Sequence, residues 1–404
     1  MDRRSGNRLS ALGFGCMRFY NNAKQNEKLV ALAVERGINY FDTAYIYPNS
    51  EETLGRALAA GNLREKVYIA TKLPVSQTRT AEDFDRFFGR QLARLQTRAI
   101  DYYLMHMLTD LAQWRRLAAL GIEDWIAAQK ASGAIRQIGF SFHGPKNEFL
   151  AILDAYDWDF CQIQYNYSDV HFQAGVEGLQ KAAAKGIPVM IMEPLLGGML
   201  AGGLPRPAKE VFEKANPGLS PAAWALRWLW NQPEVSVVLS SMINESQLAD
   251  NLQTAENALP GCLAPEEQTV FDRVSGIFRG YTRIPCTGCG YCLPCPRHVN
   301  IPASFSTYNI SQIMGWFTGV KQYATGSGFL ADQETRASLC TGCRSCERRC
   351  PQEIEISKEL IRVRKRLEPW YVRAVLSVAR RVTRKNTKQG AQVVTAESQE
   401  EVTV

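Results

Sequence analysis

Short runs of β-branched, aromatic and other apolar residues alternate with longer amphipathic patterns along the first two thirds of the chain. These runs, each predicted to be a strand, are Leu12–Cys16, Ile38–Phe41, Val67–Ala70, Ile100–Met105, Ile135–Phe140, Phe160–Ile163, Val189–Met192 and Val235–Leu239. Helices are predicted between them, for instance Ala81–Leu95 after Thr80 and Pro221–Asn231, with Ser220 as N-cap. Eight strand–helix alternations over about 250 residues predict an α/β fold, a (β/α)8 TIM barrel.

Polar residues stand at the ends of three successive predicted strands. In a barrel of this kind, polar side chains at the C-terminal strand ends are presumed catalytic. Asp42 and Tyr47 follow strand two, Lys72 follows strand three and His106 follows strand four. One such residue alone is more often structural, but four together favour a site. An ammonium on Lys72, held by Asp42, would favour proton donation by Tyr47, and His106 would orient the substrate oxygen.

Eight of the eleven cysteines lie in two runs near the C-terminus, and a proline follows the last cysteine of each run. The first run is Cys286, Cys289, Cys292 and Cys295, and the second is Cys340, Cys343, Cys346 and Cys350. Three thiolates two residues apart on a glycine-containing loop can bind three irons of one cubane, while the fourth reaches a second cluster. Structural zinc or disulfides are the alternatives, but zinc has no use for the third close cysteine or the Cys-Pro ending.

The spacing assigns one 4Fe–4S cluster to Cys286, Cys289, Cys292 and Cys350, and a second to Cys340, Cys343, Cys346 and Cys295. Residues 280–356 resemble the dicluster domain of bacterial ferredoxins, with two departures. The first run closes with two spacer residues instead of three, and the runs stand farther apart than in a small ferredoxin. An α+β ferredoxin-like domain is therefore expected after the barrel.

The composition gives no support for a nucleic-acid-binding, secreted or membrane-spanning protein. The net charge of +7 is concentrated between Ile361 and Lys388, which gives no general case for nucleic-acid binding. No apolar run follows the charged start, so no secretory signal is expected. The longest apolar stretch, Val189–Gly203, is too short and too interrupted to span a bilayer. A reducing cytoplasm is the expected location, with Cys16, Cys161 and Cys262 as small core hydrophobes.

The barrel region resembles the aldo/keto reductases. Besides the order Asp, Tyr, Lys and His, the match covers Leu12-Gly-Phe-Gly15, Ser50-Glu51, Gly139-Phe-Ser141, Gln162-Ile-Gln-Tyr-Asn166 and Asn244-Glu245 leading to Asn251. The resemblance implies that Asp42, Tyr47, Lys72 and His106 form the catalytic tetrad. It also implies a set of NAD(P)H-binding residues, namely Ser141 and Gln162 at the carboxamide, Leu195 and Gly197 at the pyrophosphate, and Ser240, Ser241, Asn244, Gln247 and Asn251 at the adenosine end.

Three positions depart from the family pattern. Phe142 replaces an asparagine that many members use for the carboxamide, and Met192 replaces an aromatic ring that stacks on the nicotinamide. Gln247 stands where NADP-preferring members place an arginine, and an amide cannot make that charge-assisted bidentate contact. For Ser240, Ser241 and Asn251, helix capping and loop hydrogen bonding are an open alternative.

Three domains are predicted: a barrel at 1–275, a dicluster domain at 276–358 and a basic tail at 359–404. A helix over Ala264–Gly280 leaves the barrel, and Ile301–Gly328 is expected to pack around the clusters or against the barrel. Apolar positions from Tyr371 to Val382 recur at helical spacing with arginines elsewhere on the wheel. Such a helix would contact an anionic membrane, dock an acidic electron carrier such as a ferredoxin, or cover the barrel. From Asn386 on, disorder is expected.

Three functions follow from these patterns. The first is an iron–sulfur-linked oxidoreductase that reduces a carbonyl or related small molecule in the barrel. Nicotinamide delivers two electrons at once whereas each cluster carries one. Either a flavin without a recognisable sequence signature converts between them, or the two clusters together supply the electrons; in both cases one cluster must lie near the barrel mouth. The alternatives are a conventional NAD(P)H-dependent carbonyl reductase with structural clusters and a catalytically silent electron-carrier or docking protein.

Overall fold

A computed structural model describes residues 4–19, 22–326 and 334–374. Two compact units divide the chain, Met1–Leu204 with Lys209–Ser275 and Pro205–Ala208 with Gly276–Val404. The helix predicted from Tyr371 onward is described only to residue 374, and the rest of it, with the tail after Asn386, lies outside the described residues.

The first unit is a closed barrel in which all eight strands are parallel and each pairs with its neighbours in chain order. The strands are β1 (Leu12–Gly15), β2 (Tyr40–Asp42), β3 (Tyr68–Leu73), β4 (Ile100–Leu108), β5 (Ile135–Phe142), β6 (Phe160–Gln164), β7 (Val189–Met192) and β8 (Val235–Ser240). The predicted barrel is confirmed.

Helices follow the strands around the barrel and continue into the second unit. Those that begin in the first unit are α1 (Ala23–Glu35), α2 (Ser50–Ala60), α3 (Glu82–Leu95), α4 (Leu111–Ala119), α5 (Ile122–Ala131), α6 (Lys146–Ala155), α7 (Gly175–Ala184), α9 (Pro221–Trp230), α10 (Glu245–Ala255) and α11 (Pro265–Tyr281), while α8 (Arg206–Ala215) begins in the short segment grouped with the second unit. As predicted, Ser220 caps α9, and its side chain accepts a hydrogen bond from the Ala223 amide.

Six strands extend further at their C-terminal ends than the apolar runs predicted, and β3 and β4 extend furthest, by three residues each. β3 continues through Lys72 to Leu73, and β4 continues through His106 to Leu108. Strand pairing extends over these polar residues because Lys72 is in register with Leu104 and Leu73 with Met105. Asp42 and Lys72 therefore lie on the ladder itself, where backbone hydrogen bonds fix their direction, whereas His106 lies at an irregularity in β4 and Tyr47 on the loop after β2.

An apolar layer fills the barrel below these polar side chains. Alternate residues of the strands point inward, and those that form this layer are Tyr40, Ala70, Tyr102, Leu104, Phe160, Met190, Val237 and Leu239. Asp42, Lys72 and His106 stand two residues further along β2, β3 and β4 than Tyr40, Ala70 and Leu104. The period of two thus places them on the inward face, one layer nearer the C-terminal mouth.

The described part of the second unit consists of helices and loops, and no strand occurs there. Its helices are α12 (Ile301–Ile313), α13 (Trp316–Gly326) and α14 (Ile356–Leu367). They pack around a small core that includes Phe305, Ile356, Val363 and Leu367 as well as Cys292 and Cys346. Within the described ranges, no helix is long and apolar enough to cross a membrane.

Candidate active site and cluster-binding region

A buried ion pair lies at the centre of the barrel mouth. Lys72 Nζ is 2.7 Å from both carboxylate oxygens of Asp42 and 2.7 Å from the carbonyl oxygen of Thr43. Only 1% of Lys72 and 4% of Asp42 is exposed to solvent. Burial raises the pKa of the Asp42 carboxyl, and Lys72 opposes that rise. With three acceptors around it, the ammonium is held in one position.

Tyr47 and His106 lie beside this pair. The Lys72 ammonium is 5.5 Å from the centre of the Tyr47 ring. The Tyr47 and His106 rings are nearly perpendicular, with centroids 5.9 Å apart. Burial, followed by the charge of Lys72 and the proximity of His143, lowers the pKa of His106 well below its usual value. All four candidate catalytic residues are thus brought together, and His106 is a neutral imidazole at neutral pH.

A second buried network holds β3 from outside the barrel. The Glu51 side chain, at the start of α2, accepts hydrogen bonds from Thr71 at 2.6 Å, Gln91 at 2.9 Å and Arg94 at 3.1 Å. Gln91 also donates to the carbonyl of Lys72 at 3.0 Å. Because the partners belong to α2, α3 and β3, this network fixes the strand segment that presents Lys72.

His143 joins the site although the sequence did not single it out. It is 5% exposed, and its Nδ1 lies 3.2 Å from Gln173 Oε1. Burial, with a further contribution from Lys72, lowers the pKa of His143 to about 4. Phe142, by contrast, packs against Phe149 with ring centroids 5.2 Å apart. The alternation of Gly139, Ser141 and His143 along β5 was the signal that could have identified this histidine.

The two predicted carboxamide-binding residues differ in their hydrogen bonding. Ser141 Oγ accepts a hydrogen bond from the Met107 amide at 2.8 Å, at an irregularity in β4 where Met107 has a φ of +58°. Gln162 is 2% exposed and hydrogen-bonds Asp42. Among the described residues its Oε1 has no partner. A buried amide oxygen without a donor is suited to accept from the carboxamide nitrogen of a nicotinamide.

The residues predicted to bind the adenosine end already make other contacts. Asn251 Nδ2 donates to Ser240 Oγ at 2.8 Å, and both residues are buried. Asn244 accepts from the Gln247 amide as the N-cap of α10, and Gln247 Oε1 accepts from the Ile243 amide. Ser240 and Asn251 thus satisfy each other, while Gln247 stands exposed at the start of a helix.

The predicted pyrophosphate loop after β7 is held to the loop after β1. Gly197 has a φ of +68° and Gly198 a φ of +97°, a conformation that favours glycine. Arg18 donates to the carbonyl of Gly197 at 3.0 Å, a contact the sequence did not suggest. On the same side, a Cβ on Gly15 would lie 2.7 Å from Ser241 Oγ, so a larger residue there would require the Ser241 side chain to move. Leu195 begins the turn between β7 and Gly197.

In the second unit, four of the cysteines line one cavity. They are Cys286, Cys289, Cys292 and Cys350, and the remaining wall includes Ile301, Phe305, Pro351 and Ile356. Burial first, and then the neighbouring thiols of Cys286, Cys289 and Cys350, raise the pKa of Cys292. The last cysteine of the second run therefore lies with the first three of the first run.

Three of the other four cysteines, Cys346, Cys340 and Cys295, also lie near one another. Burial raises the pKa of Cys346 to about 11, and the neighbouring Cys340 and Cys295 contribute. Cys343, on the same loop, is the exposed member of the eight. A hydrogen-bonding Arg349 joins the runs, because its guanidinium donates to the carbonyls of Cys292, Leu293 and Pro294 at 3.3 to 3.4 Å.

The cysteine sets suit a cluster better than a single ion. Tetrahedral zinc requires four ligands at about 2.3 Å from one point. Across the described residues, no three His, Cys, Asp or Glu side chains converge closely enough to hold one ion. Thiols spread around an apolar cavity are the donor set that an iron–sulfur cubane uses.

Comparison with known proteins agrees with both halves of this description. The model of the aldo/keto reductase family matches residues 11–261, and that of a 4Fe-4S dicluster domain matches residues 285–355. An uncharacterized oxidoreductase, YrpG, of Bacillus subtilis is 31% identical over 224 residues, covering 49% of this chain and 67% of that protein. The 6-dehydroglucose reductase of Novosphingobium aromaticivorans is 27% identical over 62% of this chain and 87% of its own length.

Solved structures share the fold. An aldo/keto reductase from Klebsiella pneumoniae, in complex with NADP and acetate, aligns with a TM-score of 0.55 and 24% identity over 66% of this chain and 92% of that one. The barrel model covers more than half of the chain. The chain therefore belongs to the aldo/keto reductase family, as an oxidoreductase whose C-terminal region carries a 4Fe-4S dicluster domain.

Proposed function

We propose that this protein reduces a carbonyl compound in the barrel, with Tyr47 as proton donor, and that the reducing equivalents are linked to two 4Fe–4S clusters. The supporting observation is the buried Lys72 ammonium, fixed by Asp42 and Thr43 and 5.5 Å from the Tyr47 ring. A fixed positive charge beside a phenol favours the phenolate that proton donation leaves behind.

Each of the residues at the barrel mouth has a separate role in the proposed reaction. Tyr47 holds the proton that passes to the carbonyl oxygen, and neutral His106 donates a hydrogen bond that orients this oxygen. Asp42 keeps Lys72 in place, and the apolar layer below excludes water from the bottom of the site. Ser141 and Gln162 would hold a nicotinamide carboxamide, with the buried Gln162 Oε1 as acceptor.

Two cofactor types would supply electrons. When bound, a nicotinamide supplies a hydride and each 4Fe–4S cluster supplies one electron. Cys286, Cys289, Cys292 and Cys350 would hold one cluster, and Cys340, Cys343, Cys346 and Cys295 the other. Electron transfer from a cluster to the substrate would require one cluster near the barrel mouth, and this requirement is part of the proposal. A conventional reductase with structural clusters is the second candidate, favoured by the NADP complex of the Klebsiella pneumoniae relative.

An acidic electron-carrier protein is the partner we propose for the cluster region. Exposed arginines stand beside its ligands: Arg297 is two residues after Cys295, Arg344 follows the exposed Cys343, and Arg348 lies between Cys346 and Cys350. The Arg344 side chain is 74% exposed. A positive surface beside an exposed cluster ligand steers a negatively charged carrier and raises its association rate.

The experiment compares two sources of electrons for one substrate. Anaerobically purified protein is tested on a panel of small aldehydes, first with NADPH or NADH, then with clusters reduced by dithionite and desalted. If the clusters supply the electrons, the pre-reduced protein should form alcohol without nicotinamide, at about one alcohol per two electrons. If NADPH drives full turnover in a Cys289→Ser/Cys343→Ser double variant, the clusters are structural and the second candidate stands.

A further inference from the structure

A short segment precedes each cysteine run, and buried polar side chains make hydrogen bonds to the backbone of that segment. The segments are Arg283–Ile284, just before Cys286, and Ala337–Ser338, just before Cys340. We propose that Asn309 and the Tyr323–Glu368 pair are positioning residues, one anchor for each run, so that each cluster assembles under the control of its own anchor.

Asn309, on α12, holds the first segment with both ends of its amide. Its Oδ1 accepts from the amides of Arg283 at 3.3 Å and Ile284 at 3.1 Å, and its Nδ2 donates to the carbonyl of Ile284 at 2.6 Å. The same carbonyl accepts from the Cys286 amide at 2.8 Å. Asn309 is 3% exposed, so water does not compete for these bonds.

Tyr323, on α13, holds the second segment together with Glu368. The Tyr323 hydroxyl accepts from the Ala337 amide at 2.7 Å and donates to Glu368 Oε1. Glu368 Oε1 also accepts from the Ser338 amide at 3.1 Å. The carbonyl of Ala337 accepts in turn from the Cys340 amide at 3.1 Å. In both runs, therefore, the anchored residue directly supports the first cysteine, and both anchors are nearly inaccessible to solvent.

Asn309 and Tyr323 stand on a single helical hairpin, formed by α12 and α13, that separates the runs, and Glu368 follows the end of α14. The hairpin is tightly packed: a Cβ on Gly319 of α13 would lie 2.2 Å from Ser311 Cβ of α12. Arg366 of α14 donates to Ser311 Oγ at 2.6 Å and to its carbonyl at 2.9 Å. The wider spacing of the runs thus accommodates the α12–α13 hairpin, which holds the segment before each run at a separate point.

Removal of an anchor leaves backbone groups buried without a partner, which is costlier than the loss of the bond itself. The segment can recover its hydrogen bonds only by moving, and the first cysteine moves with it. Cluster ligands tolerate little displacement, and groups that orient the ligands from behind influence cluster binding and potential. Because the anchors hold different segments, the damage is expected to fall on one cluster at a time.

The test uses Asn309→Leu and Tyr323→Phe in the full-length protein, purified anaerobically. Tyr308→Phe is the matched control, since it removes a hydroxyl from the same hairpin at a half-buried position packed against the same core. Cys289→Ser and Cys343→Ser serve as references, because each deletes a ligand of one cluster only. The readouts are iron content and the electron paramagnetic resonance spectrum after dithionite reduction, which do not depend on reductase turnover.

We expect each anchor variant to lose up to about half of the eight irons, the share of one cluster, with Tyr308→Phe unchanged. The remaining spectrum of Asn309→Leu should match that of Cys289→Ser, and that of Tyr323→Phe should match Cys343→Ser. Asn309→Asp, which keeps Oδ1 and replaces only the donor, should show the same selectivity more weakly if the leucine variant does not fold. Equal loss of both clusters in these variants, or unchanged spectra in all of them, would overturn the proposal.

Discussion

Asp42 and Lys72 at the barrel mouth stand on strands, whereas the cysteines of the second unit stand on loops. Both residues belong to a parallel ladder whose backbone hydrogen bonds fix their direction, while His106 lies at an irregularity in β4 and Tyr47 on the loop after β2. The described residues of the second unit contain no strand, and its cysteine loops are held by side chains such as Arg349, Asn309 and Tyr323. A ladder preorganises a site without a ligand, while loops depend on individual hydrogen bonds and on the metal they bind.

The largest expected difference concerns loss of a cluster ligand. Cys289→Ser should lose about half of the bound iron and make the loops of the second unit sensitive to protease, because metal binding is coupled to local folding. The barrel, which needs no cluster for its ladder, should keep its thermal unfolding transition. Limited proteolysis with mass spectrometry measures the first effect and circular dichroism the second. Identical digestion of native and variant protein would break the comparison.

Tyr47→Phe tests the opposite case, a chemical group lost from a site that stays rigid. We expect kcat to fall about 10²–10⁴-fold, as for loss of a positioned acid, with iron content and cofactor binding unchanged. Tyr45→Phe is the control, since its hydroxyl only accepts a 3.3 Å hydrogen bond from Arg90 at the surface. Steady-state kinetics measure kcat of both variants. Normal turnover by Tyr47→Phe would show that Tyr47 is not the proton donor.

His143 is expected to make the stability of the folded barrel depend on pH. Its pKa is lowered to about 4 in the folded protein, against about 6.5 in the unfolded chain, so the unfolded state binds more protons between these values. Stability should therefore fall as pH drops from 7 to 5, and His143 should account for about 2 kcal/mol of that loss. His143→Asn should flatten the dependence of unfolding on pH. His171→Asn, at an exposed position, is the matched control.

The smallest effect is expected where the mouth meets solvent. Gln247→Arg would place a guanidinium at the exposed start of α10, where a 2′-phosphate would lie by resemblance to the family. One charge-assisted hydrogen bond corresponds to about tenfold tighter NADPH binding relative to NADH. The same substitution at Gln253, exposed on the same helix, is the control for charge alone. Equal gains for both nucleotides would indicate that the adenosine end lies elsewhere.

Some site residues could be predicted because their signal is local, and others could not. The period of two along β2, β3 and β4 leads directly to Asp42, Lys72 and His106. The same period continues from Ser141 to His143, one residue past the end of β5, but the predicted strand ended at Phe140 and did not reach this histidine. Ser240 and Asn251 matched a cofactor-binding segment, yet in the fold they bond each other. Which of two partners a buried polar group takes depends on residues far away in the chain.

The sequence by itself determined the barrel, its catalytic candidates and the two cysteine runs, because hydrophobic periodicity and ligand spacing are properties of neighbouring residues. Only the tertiary structure decided that Gln162 Oε1 is buried with no partner among the described residues, and that Asn309 and Tyr323 hold the two runs. The sequence predicts only packing for Ile301–Gly328, which contains Tyr323, since nothing beside Tyr323 in the chain indicates Glu368 or Ala337. Hydrogen bonds between distant residues arise only when the packing of helices brings their donors and acceptors within 3 Å or so of each other.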